Sequence, residues 1–246
     1  MDLRHDFERA GHRLRRWGSV PPFALAPLVL IALGDYTYPG GDRRLDAPWE
    51  GFCLAVGFFG FGIRAFTVGC RPKHTSGRNT HSQRAARLNT TGMYSIVRHP
   101  LYLGNFFMGL GVALFPHQLF FTLVYVLAFW LYYERIMYAE EALSRAEFGD
   151  AFELWARVTP AFIPRPRNWT HAAPPFSLKS VSRREYSGFL NLIVFLFAFE
   201  FAGDWVVTGR PELDPAWAAL VALAVVAWFT LRTLKKRTDF LDVSGR

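Results

Sequence analysis

The apolar residues of this chain are gathered into blocks, and no other feature limits its fold as tightly. Six blocks are legible: Pro21 to Pro39, Trp49 to Gly69, Pro100 to Phe115, Leu119 to Tyr133, Tyr186 to Val207 and Pro215 to Leu231. A helix needs roughly 20 mainly apolar residues to cross a bilayer. The second and fifth blocks reach that length, and the first and last reach it with flanking residues. The third and fourth are short, which predicts tilted helices or a tight hairpin turning at Pro116-His117-Gln118. The expected fold class is all-α, a polytopic membrane helical bundle of about six transmembrane helices. The Arg-rich start followed by "PPFALAPLVLIALG" has the outline of a signal peptide. It lacks a clear small-x-small cleavage site, and further membrane blocks follow, so it is read as a first anchor helix.

The basic residues orient this bundle. With both termini on one side, that side carries 24 of the 28 Lys and Arg, the two longer loops opposite carry three, and Arg64 lies inside the second block. Such an excess marks the cytoplasmic side. The expected protein is therefore integral and multi-pass, with both termini cytoplasmic. Its net charge of +8 is accounted for by topology and by anionic lipid at the cytoplasmic face. Nucleic acid need not be invoked, and no interleaved basic and aromatic pattern suggests it.

Several chemistries find no support. Cys53 and Cys70 form no CxxC and read as packed thiols. His74 and His81 lie seven apart in a polar linker, too little for a metal site, and none is expected. No Walker loop, GxGxxG, GxSxG or HExxH occurs. No internal repeat is evident, which weighs against repeat-built transporters.

Polar residues gather in two linkers on the cytoplasmic side. The first, "CRPKHTSGRNTHSQRAARLNTTGMYSIVRHP", holds six Lys or Arg and no acid, and reads mostly as loop. It feeds into Arg98-His99-Pro100 at the mouth of the third block. Proline suits a helix's first turn, and a helix N-terminus at the membrane edge favours an anionic group. In the second, Ile136, Met137, Leu143, Phe148, Phe152 and Trp155 recur at roughly helical spacing. This predicts an amphipathic helix continuing from the fourth block, bent near Gly149 and ended by Thr159-Pro160.

Together these segments resemble a known family. "GMYSIVRHPLYLG" resembles the G-x-Y-x-x-x-R-H-P-x-Y-x-G signature of isoprenylcysteine carboxyl methyltransferases and their phospholipid methyltransferase relatives. Gly92, Tyr94, Arg98, His99, Pro100, Tyr102 and Gly104 all match. "RIMYAEEALSRAEFGDAFELWARVTPAFIP" is similar to the second signature, with its Glu pair, F-G and V-x-P. Phe152 and Trp155 stand where that family has two tyrosines. The similarity covers roughly residues 50 to 166. It divides the chain into a basic tail and first helix (1–48), a methyltransferase core (49–166), and a linker with a C-terminal helix pair (167–246).

The resemblance implies an S-adenosylmethionine-dependent methyltransferase with its cofactor pocket at the cytoplasmic membrane face. By position, Tyr94, His99, Pro100, Leu101 and Tyr102 line the cofactor site, with Arg87, Leu88 and Asn89 completing one wall. Glu140 on the amphipathic helix closes the pocket, or Glu141 if the register differs by one. Methyl transfer from a sulfonium needs alignment and a partly dry site more than a nucleophile–base pair. Arg98 or Arg135 is positioned to hold an anionic acceptor. The prenylcysteine enzymes place an arginine one turn before the cofactor glutamate; here that place is Ile136, with Arg135 beside it. The acceptor is thus an isoprenoid-linked carboxylate, a lipid phosphate or a phospholipid amine, arriving through the membrane.

Other polar residues have plainer readings. Arg64 is expected to snorkel to the interface, or else to line the site. Glu200 and Asp204 share a helix face near the external end and are read as interface residues or partners of another helix. The rival to an enzyme is a non-enzymatic polytopic scaffold or small-solute carrier.

Overall fold

The computed structural model describes residues 3–16, 26–72 and 87–243. His74, His81 and the start of the first apolar block lie outside the described residues. The helices are α1 (Leu3–Arg16), α2 (Ala26–Gly34), α3 (Asp46–Gly69), α4 (Met93–Ile96), α5 (Pro100–Leu114), α6 (Leu119–Phe148), α7 (Asp150–Val158), α8 (Leu178–Thr208) and α9 (Pro215–Arg237). The protein is an all-α membrane bundle. Among the described residues four helices, α3, α6, α8 and α9, are long and apolar enough to cross a membrane. The third block forms the 15-residue α5, and the described part of the first block is the nine-residue α2.

Local chemistry sets the helix ends. Pro100 opens α5 and Pro215 opens α9, where a missing N–H costs nothing. The Asp214 side chain caps α9 by accepting from the N–H groups of Ala216 and Trp217. Lys235, Lys236 and Arg237 fill its last turn, opposite the negative end of the helix dipole. The fourth block continues past Tyr133, as the amphipathic pattern predicts, in one 30-residue helix that Gly149, with φ 51°, ends before α7 starts. That bend, and the exit from α7 at Thr159, fall where the sequence pattern puts them. His117 takes φ 57° in the turn between α5 and α6.

The centre of the bundle is the antiparallel contact of α3 with α5. Glycines allow it. A Cβ on Gly60 would lie 2.5 Å from the Gly104 carbonyl oxygen and from the Met108 nitrogen; one on Gly111 would lie 2.6 Å from the Cys53 carbonyl oxygen. With no water to expel between helices in lipid, such backbone approach is what holds them. This explains how a short helix is kept in place: α5 is covered by α3, α6 and α8. Cys53, fully buried, packs with Ala113, Phe115, Leu192, Leu196 and Trp217. Both cysteines are buried, and neither is part of a disulfide. Outward-facing Phe59, Leu123, Leu127, Phe195, Leu223 and Phe229 remain exposed, as lipid contact requires. The C-terminal pair is part of this body, with α8 lying along α3 and α9 along α8.

Replacing Gly60 by leucine is expected to lower stability by about 1–3 kcal/mol through overpacking. Thermal melting in detergent, compared with Gly62→Leu, where a Cβ meets nothing within 4 Å, checks this.

Candidate functional site

The site is assembled around Arg98, in the loop between α4 and α5. Its Nε and Nη2 donate to the two oxygens of Glu141 on α6 at 2.8 and 3.1 Å. Its Nη1 donates to the carbonyls of Ala156 and Thr159 at 2.9 and 2.8 Å. A planar fork satisfies a carboxylate and a helix C-terminus together, which a lysine cannot. The chain after α7 then runs back beneath the motif. Arg98 N–H donates to the Pro160 carbonyl, His99 N–H to Ala161, Arg165 N–H to Ile96 and Gly92 N–H to Thr170. The first motif is thereby strapped to the second.

A cavity of about 540 Å³ opens above this strap. Its wall includes Tyr94, His99, Pro100, Leu101 and Tyr102 from the first motif and Glu140 and Glu141 from the second. His99 Nε2 lies 3.0 Å from Glu141 Oε1, and the ring stacks on Tyr102 with centroids 5.7 Å apart. The Tyr102 hydroxyl donates to Glu140 Oε1 at 2.7 Å. The Glu pair is thus divided: Glu141 is bound to Arg98 and His99, and Glu140 faces the cavity with Tyr102 as its donor. Trp155 donates its indole N–H to the Tyr94 carbonyl at 3.1 Å. Phe152 is 1% exposed and fills the floor. Burial pushes the Tyr94 phenol pKa up, so it presents a neutral ring.

Three expected residues stand elsewhere. Arg135 is one position from Ile136, and a 100° step per residue carries it off the cavity face. It lies against α1, with its guanidinium 5.4 Å from the centre of the Phe7 ring. Arg87 is exposed and does not line the cavity. Asn89 is buried but accepts from Thr91 N–H and its hydroxyl at 3.3 Å, shaping the turn rather than the wall. Leu88 does reach the cavity. Arg98 reaches it too, with four of its five N–H groups engaged within the protein.

The far wall comes from Arg64, which takes the second of its two sequence readings and lines the site, and from α8, which the sequence reading did not place there. Arg64 does not snorkel: its Nε and Nη2 donate to Glu185 on α8, both at 2.8 Å, and Nη1 donates to Asn105 at 2.6 Å. Arg184, Glu185, Ser187 and Asn191 bring α8 into the cavity. Arg184 is exposed there and has no hydrogen-bond or ion-pair partner among the described residues. The signal available in sequence was a charged pair, Arg184-Glu185, at the mouth of a membrane block.

Arg98→Lys is expected to destabilise the protein by about 3 kcal/mol, since it leaves Glu141 poorly paired and two carbonyls without donors. Arg184→Lys should stay within about 0.5 kcal/mol. Denaturation midpoints of the two variants in detergent check the contrast.

Comparison with known proteins bears on this arrangement. Residues 77–145 match the family model "Isoprenylcysteine carboxyl methyltransferase (ICMT) family". The chain is 34% identical over 158 residues to the cobalt-zinc-cadmium resistance protein CzcN of Cupriavidus metallidurans, covering 63% of this chain and 64% of that protein. It is likewise 34% identical over 158 residues to the nickel-cobalt-cadmium resistance protein NccN of Alcaligenes xylosoxydans xylosoxydans, covering 65% of that protein. A shorter match, 35% over 77 residues, covers 31% of this chain and 33% of the protein-S-isoprenylcysteine O-methyltransferase of Schizosaccharomyces pombe. The matched stretch spans a little under two thirds of the two resistance proteins. No solved structure matches. The segment 77–145, which holds His99, Tyr102 and Glu140, is thus similar to the isoprenylcysteine carboxyl methyltransferase family.

Proposed function

We propose that this chain is an integral membrane S-adenosylmethionine-dependent methyltransferase acting on the polar end of a membrane-held lipid or isoprenoid acceptor. The observation that carries the reading is the meeting of two separated motif segments, around His99 and Glu140, in one cavity at the mouth of a membrane helix. The residues present fit the cofactor. A volume of about 540 Å³ lies within the roughly 300–1,000 Å³ usual for small-molecule sites. The rings of Tyr94, His99, Tyr102 and Trp155 offer flat faces for a purine. The second oxygen of Glu140 is 3.9 Å from His99 Nδ1, leaving it able to accept from an amino or hydroxyl group.

S-adenosylmethionine, when bound, supplies a methyl group already activated by the sulfonium charge. The chain's task is then to align donor and acceptor and exclude water. Glu141 holds the His99 ring in place through Nε2, and Tyr102 stacks on that ring, so His99 serves as a wall. Ile136 and Met108 line the cavity on its apolar side, toward an acceptor held by lipid. Arg98 and Arg135 are engaged elsewhere, and we assign the anionic end of the acceptor to Arg184. The family match ends at residue 145, before α8 begins. Relatives named for metal resistance and for prenylcysteine methylation are therefore compatible with one cofactor wall and different acceptor walls. The excess of basic residues supports a cytoplasmic site with both termini on that side, against anionic lipid.

The test is transfer of labelled methyl from S-adenosylmethionine to bacterial lipid extracts by the full chain in lipid. Glu140→Gln should lower transfer roughly 10- to 100-fold, the loss of a charge-assisted hydrogen bond. Arg184→Ala should raise the acceptor KM and leave the cofactor KM unchanged. A folded wild-type chain that transfers nothing to any extract favours the scaffold or small-solute carrier instead.

A further inference from the structure

At the end of the bundle away from the cavity, three carboxylates meet. Asp46 and Glu50 are one turn apart on α3, and Glu200 faces them from α8. One oxygen of each lies within 4.8 Å of the others. The antiparallel register of α3 and α8 brings them together: it pairs Arg64 with Glu185 at one end, Gly57 with Leu192 midway, and Glu50 with Glu200 at the other. Glu50 is 14 residues from Arg64, about 21 Å along a helix rising ~1.5 Å per residue, so this cluster is separate from the cavity.

The surroundings compensate these charges little, with Arg43 acting on Asp46 only at a distance. Asp46 and Glu200 are 9% and 6% exposed. The Tyr36 hydroxyl donates to Asp46 at 3.4 Å and the Trp217 indole N–H to Glu50 Oε2 at 3.1 Å. Glu50 Oε1 and Glu200 Oε2 are buried with no N–H or O–H donor from the rest of the protein, and the two side chains lie within hydrogen-bonding reach of each other. Among the described residues no Lys, Arg or His forms an ion pair with any of the three. Asp204, one turn beyond Glu200, adds a further carboxylate, which accepts from the Tyr38 hydroxyl at 3.1 Å. Carboxylates this close do not all ionise without positive charge between them. A proton shared by Glu50 and Glu200 removes one charge and leaves Asp46 and Asp204 beside the remainder. A divalent cation offsets two charges and takes up the idle lone pairs together.

We propose that Asp46, Glu50 and Glu200 form a binding site for one divalent cation, tying α3 to α8 at the end of the bundle opposite the cavity. An all-oxygen donor set without His or Cys selects the hard class, Mg²⁺, Ca²⁺ or Mn²⁺.

The experiment is titration of the purified full chain in detergent with Mn²⁺ alone, following free Mn²⁺ by electron paramagnetic resonance and thermal melting in parallel. One saturable site per chain is expected, with Glu200→Gln and Asp46→Asn each weakening it roughly tenfold or more. Mn²⁺ should raise the melting temperature of the wild type and not of Glu200→Gln. Removing one carboxylate relieves repulsion, so both variants should fold without metal, and a cooperative melt verifies that. The proposal is overturned if the wild type melts cooperatively yet binds no Mn²⁺ up to millimolar concentration. It is equally overturned if both folded variants bind as the wild type does. In the first case a higher melting temperature of metal-free Glu200→Gln would assign the cluster to proton sharing.

Discussion

The guanidinium of Arg98 is the point on which the site hangs. One planar group joins the loop before α5, the carboxylate of Glu141 on α6, and the last carbonyls of α7. The linkage brings residues far apart in the chain within one hydrogen-bonded unit, and the strap of Pro160 and Ala161 closes it from below. Because Glu141 is taken up in this linkage and by His99, Glu140 is left to face the cavity. A run of two identical residues thus performs two tasks, one internal and one facing the cavity.

The membrane context explains why this linkage needs a rigid frame. Helices in lipid gain little from burying apolar side chains against one another, so close backbone contact and polar pairs carry the association. Here the glycine contact of α3 with α5 fixes the helix whose first turn bears His99 and Tyr102. The Arg64–Glu185–Asn105 cluster then fixes α8 to both. A charge at membrane depth is costly unless paired, and Arg64 satisfies that demand while forming one wall of the cavity. Frame and site are therefore the same set of contacts seen from two sides.

Much of this was legible in the sequence because it is local. Block lengths announce membrane helices and Gly149 announces the bend, while the pocket was implied by the resemblance that Arg98-His99-Pro100 carries. What was not legible depends on pairing between helices. Nothing near Arg64 in the chain points to Glu185, 121 positions away, so snorkelling was the natural reading. Arg135 was misplaced because a single step along a helix turns a side chain by 100°, and only the position of α1 shows which face is covered. Glu200 was read as an interface residue or a partner of another helix, and only the register of α8 against α3 names that helix and sets Glu200 beside Asp46 and Glu50. In each case the missing term was a register, which composition does not encode.

The most direct measurement is calorimetric titration of S-adenosylhomocysteine into the full chain in lipid-supplemented detergent, with His99→Ala, Glu140→Ala and Arg135→Ala alongside. The account predicts micromolar binding by the wild type, marked weakening by the first two substitutions, and no change for Arg135→Ala, which lies off the cavity. Absence of binding by folded wild-type protein would contradict it, as would binding that Glu140→Ala leaves intact.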